Sequence, residues 1–274
     1  MNLVDRAANL KSFLTPRVNL PWLTRVLVFP QCHSTQDEAL RLAESRPGLL
    51  VTAINQLSGR GRLGRTWVHR PGLGLAATFV LDAAKHDAPT LSIRAGVAVC
   101  MACEAVTEPR IPNDYPPYFR LKWPNDVMVP LKAHTKLGPC RKLAGVLIER
   151  REGLLLLGIG INILQQESDW PANIRDSAVS LHQLDPSAHP PSLEGVCDQL
   201  IRALDHYLFT DRREIRKQFS ARDTLTGTQQ TFEHNTKRYT GTVECIDPED
   251  AITLRTADGA EHKLPALTTS LVKD

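Results

Sequence analysis

The 274-residue sequence predicts an α+β fold, with a largely antiparallel β-sheet that carries helices on one face and a small C-terminal β-barrel. Two hydrophobic runs, 142–149 and 154–163, are separated by a short turn, which is typical of a hairpin. Apolar residues at helical spacing over 89–106 predict a long core helix. Near Leu225 the sequence changes to short strand-like segments separated by turn residues, which predicts the barrel.

The other elements follow from the same patterns in chain order. After a partly helical lead over 1–22, the predicted strands are 25–29, 49–54, 73–81, 118–121 and 127–129, and in the barrel 228–232, 238–246, 251–256 and 261–265. Further helices are predicted after the cap residues 34–35 and over 193–209 and 212–219, with mostly loop over 165–190. We expect two domains, 1–224 and 225–274.

Composition limits the class of protein. A net charge of +3 and 42% hydrophobic residues describe a chain with a substantial core, in which nucleic-acid binding would need a local basic patch. We find neither an apolar run of transmembrane length nor the pattern of a signal peptide. The six scattered cysteines are typical of thiols in a reducing cytoplasm. Cys100 and Cys103 form a Cys-x-x-Cys without a second ligand pair, which favours buried thiols over a metal or redox site.

The segment 58–67, Ser-Gly-Arg-Gly-Arg-Leu-Gly-Arg-Thr-Trp, combines flexible backbone, permanent positive charge and an indole. Glycine lets backbone N–H groups approach an anion, arginine matches phosphate oxygens, and Trp67 offers a flat face for a base. These features predict a nucleotide site, and the flanking hydrophobic runs favour a loop held on a folded scaffold. Flexible Arg/Gly loops also contact nucleic acid nonspecifically, so this segment alone leaves both interpretations open.

Three further motifs follow downstream: Lys-Trp-Pro-Asn-Asp at 122–126, Lys-Leu-Ala-Gly-Val-Leu-Ile-Glu at 142–149 and Gly-Ile-Gly-Ile-Asn at 158–162. Together with the Gly/Arg segment, and in this order, they resemble the biotin protein ligase family from about residue 26 to the C-terminus. The resemblance implies an antiparallel sheet flanked by helices, plus a C-terminal barrel. It also implies that biotin and ATP form biotinyl-5′-adenylate and pyrophosphate. The biotinyl group then passes to a lysine of the biotin carrier domain of acetyl-CoA carboxylase or a similar carboxylase.

The resemblance assigns site residues by position. Those expected to bind biotin are Ser34, Thr35, Gln36, Gln56, Arg60, Gly61, Arg62 and Lys142. Those expected to bind ATP, with Mg²⁺, are Arg62, Arg65, Trp67, Asn125, Asp126 and Asn162. The candidate catalytic residues are Lys142, Arg62, Lys122 and Asp126. Attack of a carboxylate on a phosphate crowds anions together, so preorganised cations suit the first step.

Each assignment has a plainer alternative. Residues 34–35 are suited to capping a helix, Trp67 to core packing, 124–126 to a turn, and both lysines to solvated positions. The family usually has asparagine where this chain has Gln36, and the loop 131–141 is longer than the family's usual connection. Both departures affect the expected geometry of the site.

Other functions are left open by the sequence. They are a lipoate or octanoate ligase or transferase, a regulator that binds biotinyl-adenylate, and an RNA-binding module. The motif at 122–126 and the Gly/Arg segment disfavour the first, and a short N-terminal lead disfavours a DNA-reading regulator. We expect a cytoplasmic enzyme, monomeric or homodimeric, that binds biotin, ATP and a carrier domain, with no specific DNA and no membrane.

Overall fold

The computed structural model describes residues 1–107, 118–131, 139–186 and 189–272, without the side chains of Pro89 and Leu267. Within them the α-helices are α1 Leu3–Leu14, α2 Thr35–Ala43, α3 Ala88–Thr107, α4 Leu181–Leu184, α5 Leu193–Tyr207 and α6 Arg212–Arg222. The strands up to the end of the main sheet are β1 Arg25–Cys32, β2 Leu49–Gln56, β3 Gly59–Arg60, β4 Thr66–Trp67, β5 Gly74–Asp82, β6 Arg120–Lys122, β7 Asp126–Pro130, β8 Cys140–Arg151 and β9 Leu154–Asn162. The C-terminal strands are β10 Gln229–His234, β11 Lys237–Ile246, β12 Ala251–Arg255, β13 Glu261–Pro265 and β14 Thr269–Leu271.

Seven strands form the main sheet in the order β1-β2-β5-β9-β8-β7-β6. Only the β1–β2 pair is parallel among these described strands, because α2 crosses over between them. The remaining pairs are antiparallel, and β8 and β9 form the predicted hairpin. The largely antiparallel sheet is therefore confirmed.

Helices cover both faces of the main sheet. On one face α1, α3, α5 and α6 pack over side chains that include Leu50, Phe79 and Leu157. On the other face α2 packs over Leu49 and Val80. All eight residues of β2 are buried, as expected for a strand covered on both sides. The prediction that helices cover only one face of the sheet was wrong, whereas the prediction of a sheet flanked by helices is confirmed.

Helix α3 is the central helix of the core. Its Thr90–Thr107 portion is long and apolar enough to cross a membrane by length and composition, but it is mostly buried inside the protein. Cys100 and Cys103 are fully buried here, and burial raises the pKa of both thiols. No group of three metal-binding side chains occurs in the described part of the chain. The structure thus agrees with two buried thiols.

The C-terminal strands form a five-stranded antiparallel sheet in the order β13-β12-β11-β10-β14. Its described edge strands, β13 and β14, are not paired with each other, so the predicted barrel is an open sheet. Phe232 of this sheet lies 6.1 Å from Trp123, centroid to centroid, and both side chains are buried. The small sheet therefore packs directly against the 122–126 motif, and we propose its boundary near Leu225.

Candidate active site

A cleft of about 180 Å³ opens on the face of the main sheet that carries α2. Along that face, β9 presents Leu154 and Leu156 beneath α2, followed by Gly158 and Gly160 beneath the cleft. A Cβ on Gly158 would lie 2.4 Å from the Gln36 amide nitrogen, and one on Gly160 would lie 2.5 Å from the Trp67 ring. The two glycines therefore form a flat floor on which the side chains of the cleft can lie.

One end of the cleft is neutral and polar. The backbone N–H and the hydroxyl of Thr35 both donate to Gln56 Oε1, at 2.8 and 3.0 Å. The Thr78 hydroxyl donates to Thr35 Oγ1 at 2.9 Å. Ser34 occupies the N-cap of α2, but its buried hydroxyl makes no capping hydrogen bond. Helix capping therefore does not explain why a residue with a hydroxyl group occupies position 34.

Gln36 adds an acceptor to this polar end. Its Nε2 donates to the Leu147 carbonyl at 3.0 Å, which fixes the orientation of the amide. Its Oε1 is buried and has no hydrogen-bond partner among the described residues. A buried unpaired acceptor costs roughly 1–3 kcal/mol, which a suitably placed ligand N–H would recover. The missing side chain of Gly158 makes room for the amide group of Gln36, since a Cβ there would lie 2.4 Å from Nε2 and 3.2 Å from Cδ.

The Gly/Arg segment folds into a short hairpin over the cleft. Gly59 of β3 pairs with Trp67 of β4, and the Gly61 N–H donates to the Arg65 carbonyl at 2.7 Å across the turn. Trp67 lies against the glycine floor rather than in the core, and Lys142 Nζ lies 5.5 Å from its ring centroid. The indole is thus a wall of the cleft.

The three arginines of the hairpin differ in their partners. Arg60 is bound by Asp37, whereas the side chains of Arg62 and Arg65 form no hydrogen bond or ion pair with any described residue. Arg62 is exposed as a residue, yet partial burial lowers the pKa of its guanidinium, with Asp126 opposing the shift and Arg65 adding to it. It stays protonated, since arginine titrates far above neutral pH. Arg62 and Arg65 therefore both line the cleft with guanidinium groups that no described residue binds directly, although the Asp126 carboxylate attracts Arg62.

Lys142 and Asp126 form an ion pair at the other end. Their Nζ and Oδ1 atoms are 2.6 Å apart, and Asp126 is largely buried. The β7–β8 register shifts so that Leu143 is an extra residue in β8. This bulge turns Lys142 to the same face as Gly145, whose Cβ would lie 3.0 Å from Nζ. A regular strand would direct Lys142 to the opposite face.

The 122–126 motif forms a tight turn beside this pair. Asn125 Nδ2 donates to the Val146 carbonyl at 2.8 Å, and the Trp123–Pro124 peptide bond is cis. Lys122 lines the cleft and makes no hydrogen bond or ion pair with a described residue. The turn interpretation of Asn125 is thus supported, and Lys122 adds a further available cation.

Asn162 does not line the cleft. It is buried, its Nδ2 donates to the carbonyl groups of Val179 and Lys142 at 3.1 and 3.4 Å, and its Oδ1 accepts from Gln165 at 3.4 Å. The hydrogen bonds of its amide therefore hold the backbone that carries Lys142. These contacts give Asn162 a supporting role for Lys142, and its expected contact with the nucleotide stays a prediction.

Several residues that line or support the cleft were missed by sequence reasoning. Thr78 and Leu147 support the polar end, while Ser270 and Leu271 of β14 reach the cleft from the C-terminal sheet. The change from leucine to glycine at alternate positions of β9 is a signal that predicts an opening over Gly158. No comparable pattern marks Ser270, because its position depends on how the second sheet packs. Most of the long loop, 132–138, lies outside the described residues.

His69, just after the hairpin, predicts a pH dependence of stability. Its Nε2 lies 3.2 Å from the Ile54 carbonyl oxygen, and burial lowers the pKa of this histidine, with that hydrogen bond opposing the shift. The unfolded chain therefore binds the proton more tightly, so the free energy of unfolding should fall as the pH drops below about 6.5. We expect His69→Gln to show a shallower fall in urea unfolding between about pH 7.5 and 5.5. Equal slopes for both proteins would contradict this.

A family model, the Biotin/lipoate A/B protein ligase family, matches residues 28–165. The chain belongs to this family. Every cleft residue from Ser34 to Gly160 lies within the matched region of this biotin/lipoate ligase family, whereas Ser270 and Leu271 lie beyond it.

Similar proteins come from several bacteria. The bifunctional ligase/repressor BirA of Bacillus spizizenii is 35% identical over 159 residues, which cover 55% of this chain and 44% of that protein. The match thus spans less than half of that relative's length. The biotin–[acetyl-CoA-carboxylase] ligase of Paracoccus denitrificans is 28% identical over 244 residues, covering 83% of this chain and 93% of that protein. The solved biotin protein ligase of Aquifex aeolicus in complex with biotin and ATP has a TM-score of 0.74 at 25% identity, covering 91% of this family member and 99% of that chain.

Proposed function

We propose that the protein is a biotin protein ligase, an enzyme that activates biotin with ATP and transfers it to a lysine of a carboxylase carrier domain. The observation that carries the proposal is a single cleft with a neutral polar end at Thr35 and Gln36 and a cationic end at Lys142 and Arg62. A ligand with a polar uncharged head and an acidic tail matches both ends at once. Biotin has this distribution, with a ureido ring at one end and a carboxylate at the other.

The polar end favours biotin over lipoate. A ureido ring has two N–H donors and one carbonyl acceptor, which match Gln36 Oε1 and the donors on Ser34 and Gln56. A dithiolane ring has no such donor, so it would leave the Gln36 acceptor unpaired. Sites built around a substrate N–H reject analogues that lack it by large factors.

The cationic end suits adenylate formation. One oxygen of the biotin carboxylate attacks the α-phosphorus of ATP, the bond to the bridging oxygen breaks, and pyrophosphate leaves with the electron pair. Lys142, Lys122 and Arg62 stabilise the negative charge on the phosphate oxygens, and Trp67 offers its face to the adenine. Asp126 is the carboxylate that lines the described cleft, which fits a site where Mg²⁺ keeps most of its ligands from ATP and water. Bound there, Mg²⁺ would neutralise phosphate charge.

The second step transfers the biotinyl group. The amine of the acceptor lysine attacks the acyl carbon of the mixed anhydride, and AMP leaves with the electrons of the broken C–O bond. The attacking nitrogen releases its proton to water, and in this proposal the Asp126 carboxylate orients the amine by accepting a hydrogen bond from it. We propose that this occurs in the cytoplasm, in a monomer or homodimer, without specific DNA binding.

Pyrophosphate exchange tests the proposal directly. With ATP and Mg²⁺, we expect exchange of labelled pyrophosphate into ATP to depend on biotin and to be absent with lipoate, because only the ureido ring satisfies the polar end. Lipoate supporting exchange as well as biotin would contradict the proposal, as would a lack of exchange with biotin. Omitting Mg²⁺ should abolish the exchange.

A further inference from the structure

Arg60 is the one hairpin arginine with described ion-pair partners. Its two terminal nitrogens each donate to one carboxylate oxygen of Asp37, both at 2.7 Å, and its Nε lies 4.0 Å from Glu149 Oε1. The hydrogen bond from Arg60 lowers the pKa of the Asp37 carboxyl, so the pair is charged at neutral pH. A bidentate arginine–carboxylate contact also fixes orientation, which a single contact does not.

This ion pair joins the hairpin to the helix that forms the polar end of the cleft. Asp37 lies in the first turn of α2, directly after Thr35 and Gln36. Thr35 is in turn bonded to Gln56, three residues before the hairpin begins at Gly59. Side-chain contacts therefore join the start of α2 to the base of the hairpin at two points, in addition to the backbone hydrogen bonds from Leu57 to Cys32 and from Ser58 to His33 just before them.

We propose that Arg60 is a positioning residue. Its ion pair with Asp37, here called the strap, connects the base of the Gly/Arg hairpin to α2 and so keeps the hairpin over the biotin end of the cleft. The proposal rests on the proposed ligase function. It assigns Arg60 a different role from Arg62 and Arg65, although the three share one sequence pattern. It also limits ligand-dependent movement to the turn beyond Gly61.

The charges around Arg60 support a strap rather than a phosphate contact. All three arginines line the cleft, but two carboxylates, Asp37 and Glu149, already face the Arg60 guanidinium, whereas Arg62 and Arg65 have no hydrogen bond or ion pair with a described residue. An incoming phosphate would compete with both carboxylates for Arg60. Asp37 itself is not among the residues that line the cleft, so it has no direct ligand contact to lose.

A double-mutant cycle tests the strap. The variants are Asp37→Asn, Arg60→Gln and the pair together, in the full chain. Because exposed ion pairs are weak, we expect each single variant to raise the KM for biotin about fivefold and to shorten the half-life of enzyme-bound adenylate by a similar factor. The kcat of pyrophosphate exchange should stay within about twofold. The double variant should be no worse than either single one, because both changes remove one interaction.

The matched control is the other arginine pair on α2, in which Arg41 Nη2 lies 2.6 Å from Glu38 Oε2. Glu38→Gln should leave both the KM and the adenylate half-life unchanged, since this pair does not touch the hairpin. A large loss in Arg60→Gln with none in Asp37→Asn, or fully additive effects, would overturn the strap and make Arg60 a ligand contact. Absence of biotin-dependent exchange in the unmodified protein would instead overturn the ligase function.

Discussion

Lys142→Ala is expected to slow single-turnover adenylate formation about a hundredfold, because it removes a cation aimed at the developing phosphate charge. The ammonium group lies 2.6 Å from Asp126 and 5.5 Å from the centroid of the Trp67 ring, between the two groups expected to meet the nucleotide. Its side chain is only one-third exposed, so solvent screens it less than a surface lysine. Rapid-quench measurement of biotinyl-adenylate with enzyme in excess gives the rate of this step.

The Lys142 experiment needs a control for the loss of an ion pair in general. Lys263 pairs with Asp250 at 2.8 Å on the exposed surface of the C-terminal sheet, and Lys263→Ala should leave adenylation unchanged. Lys142→Arg keeps the charge but not its compact shape, and we expect an intermediate rate. Unchanged thermal unfolding of Lys142→Ala would separate catalysis from folding. A rate within about twofold of the unmodified enzyme would mean that Lys142 is a solvated lysine.

Much of the fold could be predicted because its elements carry local signals. The apolar spacing of α3 and the hairpin of β8 and β9 are encoded within short windows. The consecutive apolar residues of β2 are also typical of a strand buried on both faces, although the predicted sheet carried helices on one face only. The sequence did not predict that the C-terminal sheet is open, because closure into a barrel depends on where β13 and β14 lie in space. The three-residue β14 is too short to carry a pattern.

Most of the predicted site residues line the cleft, but their geometry could not be predicted from the sequence. The motifs identified Lys142, but the side to which it points depends on the Leu143 bulge, which no local pattern marks. Asn162 was assigned from its motif, while its buried amide is committed to backbone carbonyls that come from distant sequence. Arg60 and Arg62 look equivalent in sequence. They differ only because Asp37, on another element, lies beside one of them.

Arg62→Gly is expected to form biotinyl-adenylate but to release it rapidly. The adenylate is a mixed anhydride that water or any amine can attack, so an enzyme that holds it for a carrier lysine must exclude solvent. Arg62 lies in the turn of the hairpin, beyond the Gly59–Trp67 pairing, and has no ion-pair partner among the described residues. Bound phosphate would supply that partner and draw the turn over the cleft.

The expected size of the effect follows from a lost charge-assisted hydrogen bond. Such a bond contributes about 1.5–3 kcal/mol, so the half-life of enzyme-bound adenylate should shorten roughly 10- to 100-fold. Released adenylate should then biotinylate lysines of bystander proteins, which streptavidin blotting of a mixed protein sample detects. Limited proteolysis provides a second measurement, since biotin plus ATP should protect the hairpin in the unmodified enzyme and not in Arg62→Gly.

Leu63→Gly separates the charge of Arg62 from the backbone freedom that a new glycine adds. Leu63 is the next residue of the same turn, is exposed, and adopts a left-handed conformation with φ of 56°, which glycine accepts without strain. This variant keeps all three arginines and should retain adenylate as the unmodified enzyme does. If Leu63→Gly leaks adenylate as fast as Arg62→Gly, stiffness of the turn rather than its charge retains the intermediate. If ligands leave hairpin cleavage unchanged and Arg62→Gly holds adenylate normally, the hairpin is not a lid, and Arg62 and Arg65 act as fixed phosphate ligands.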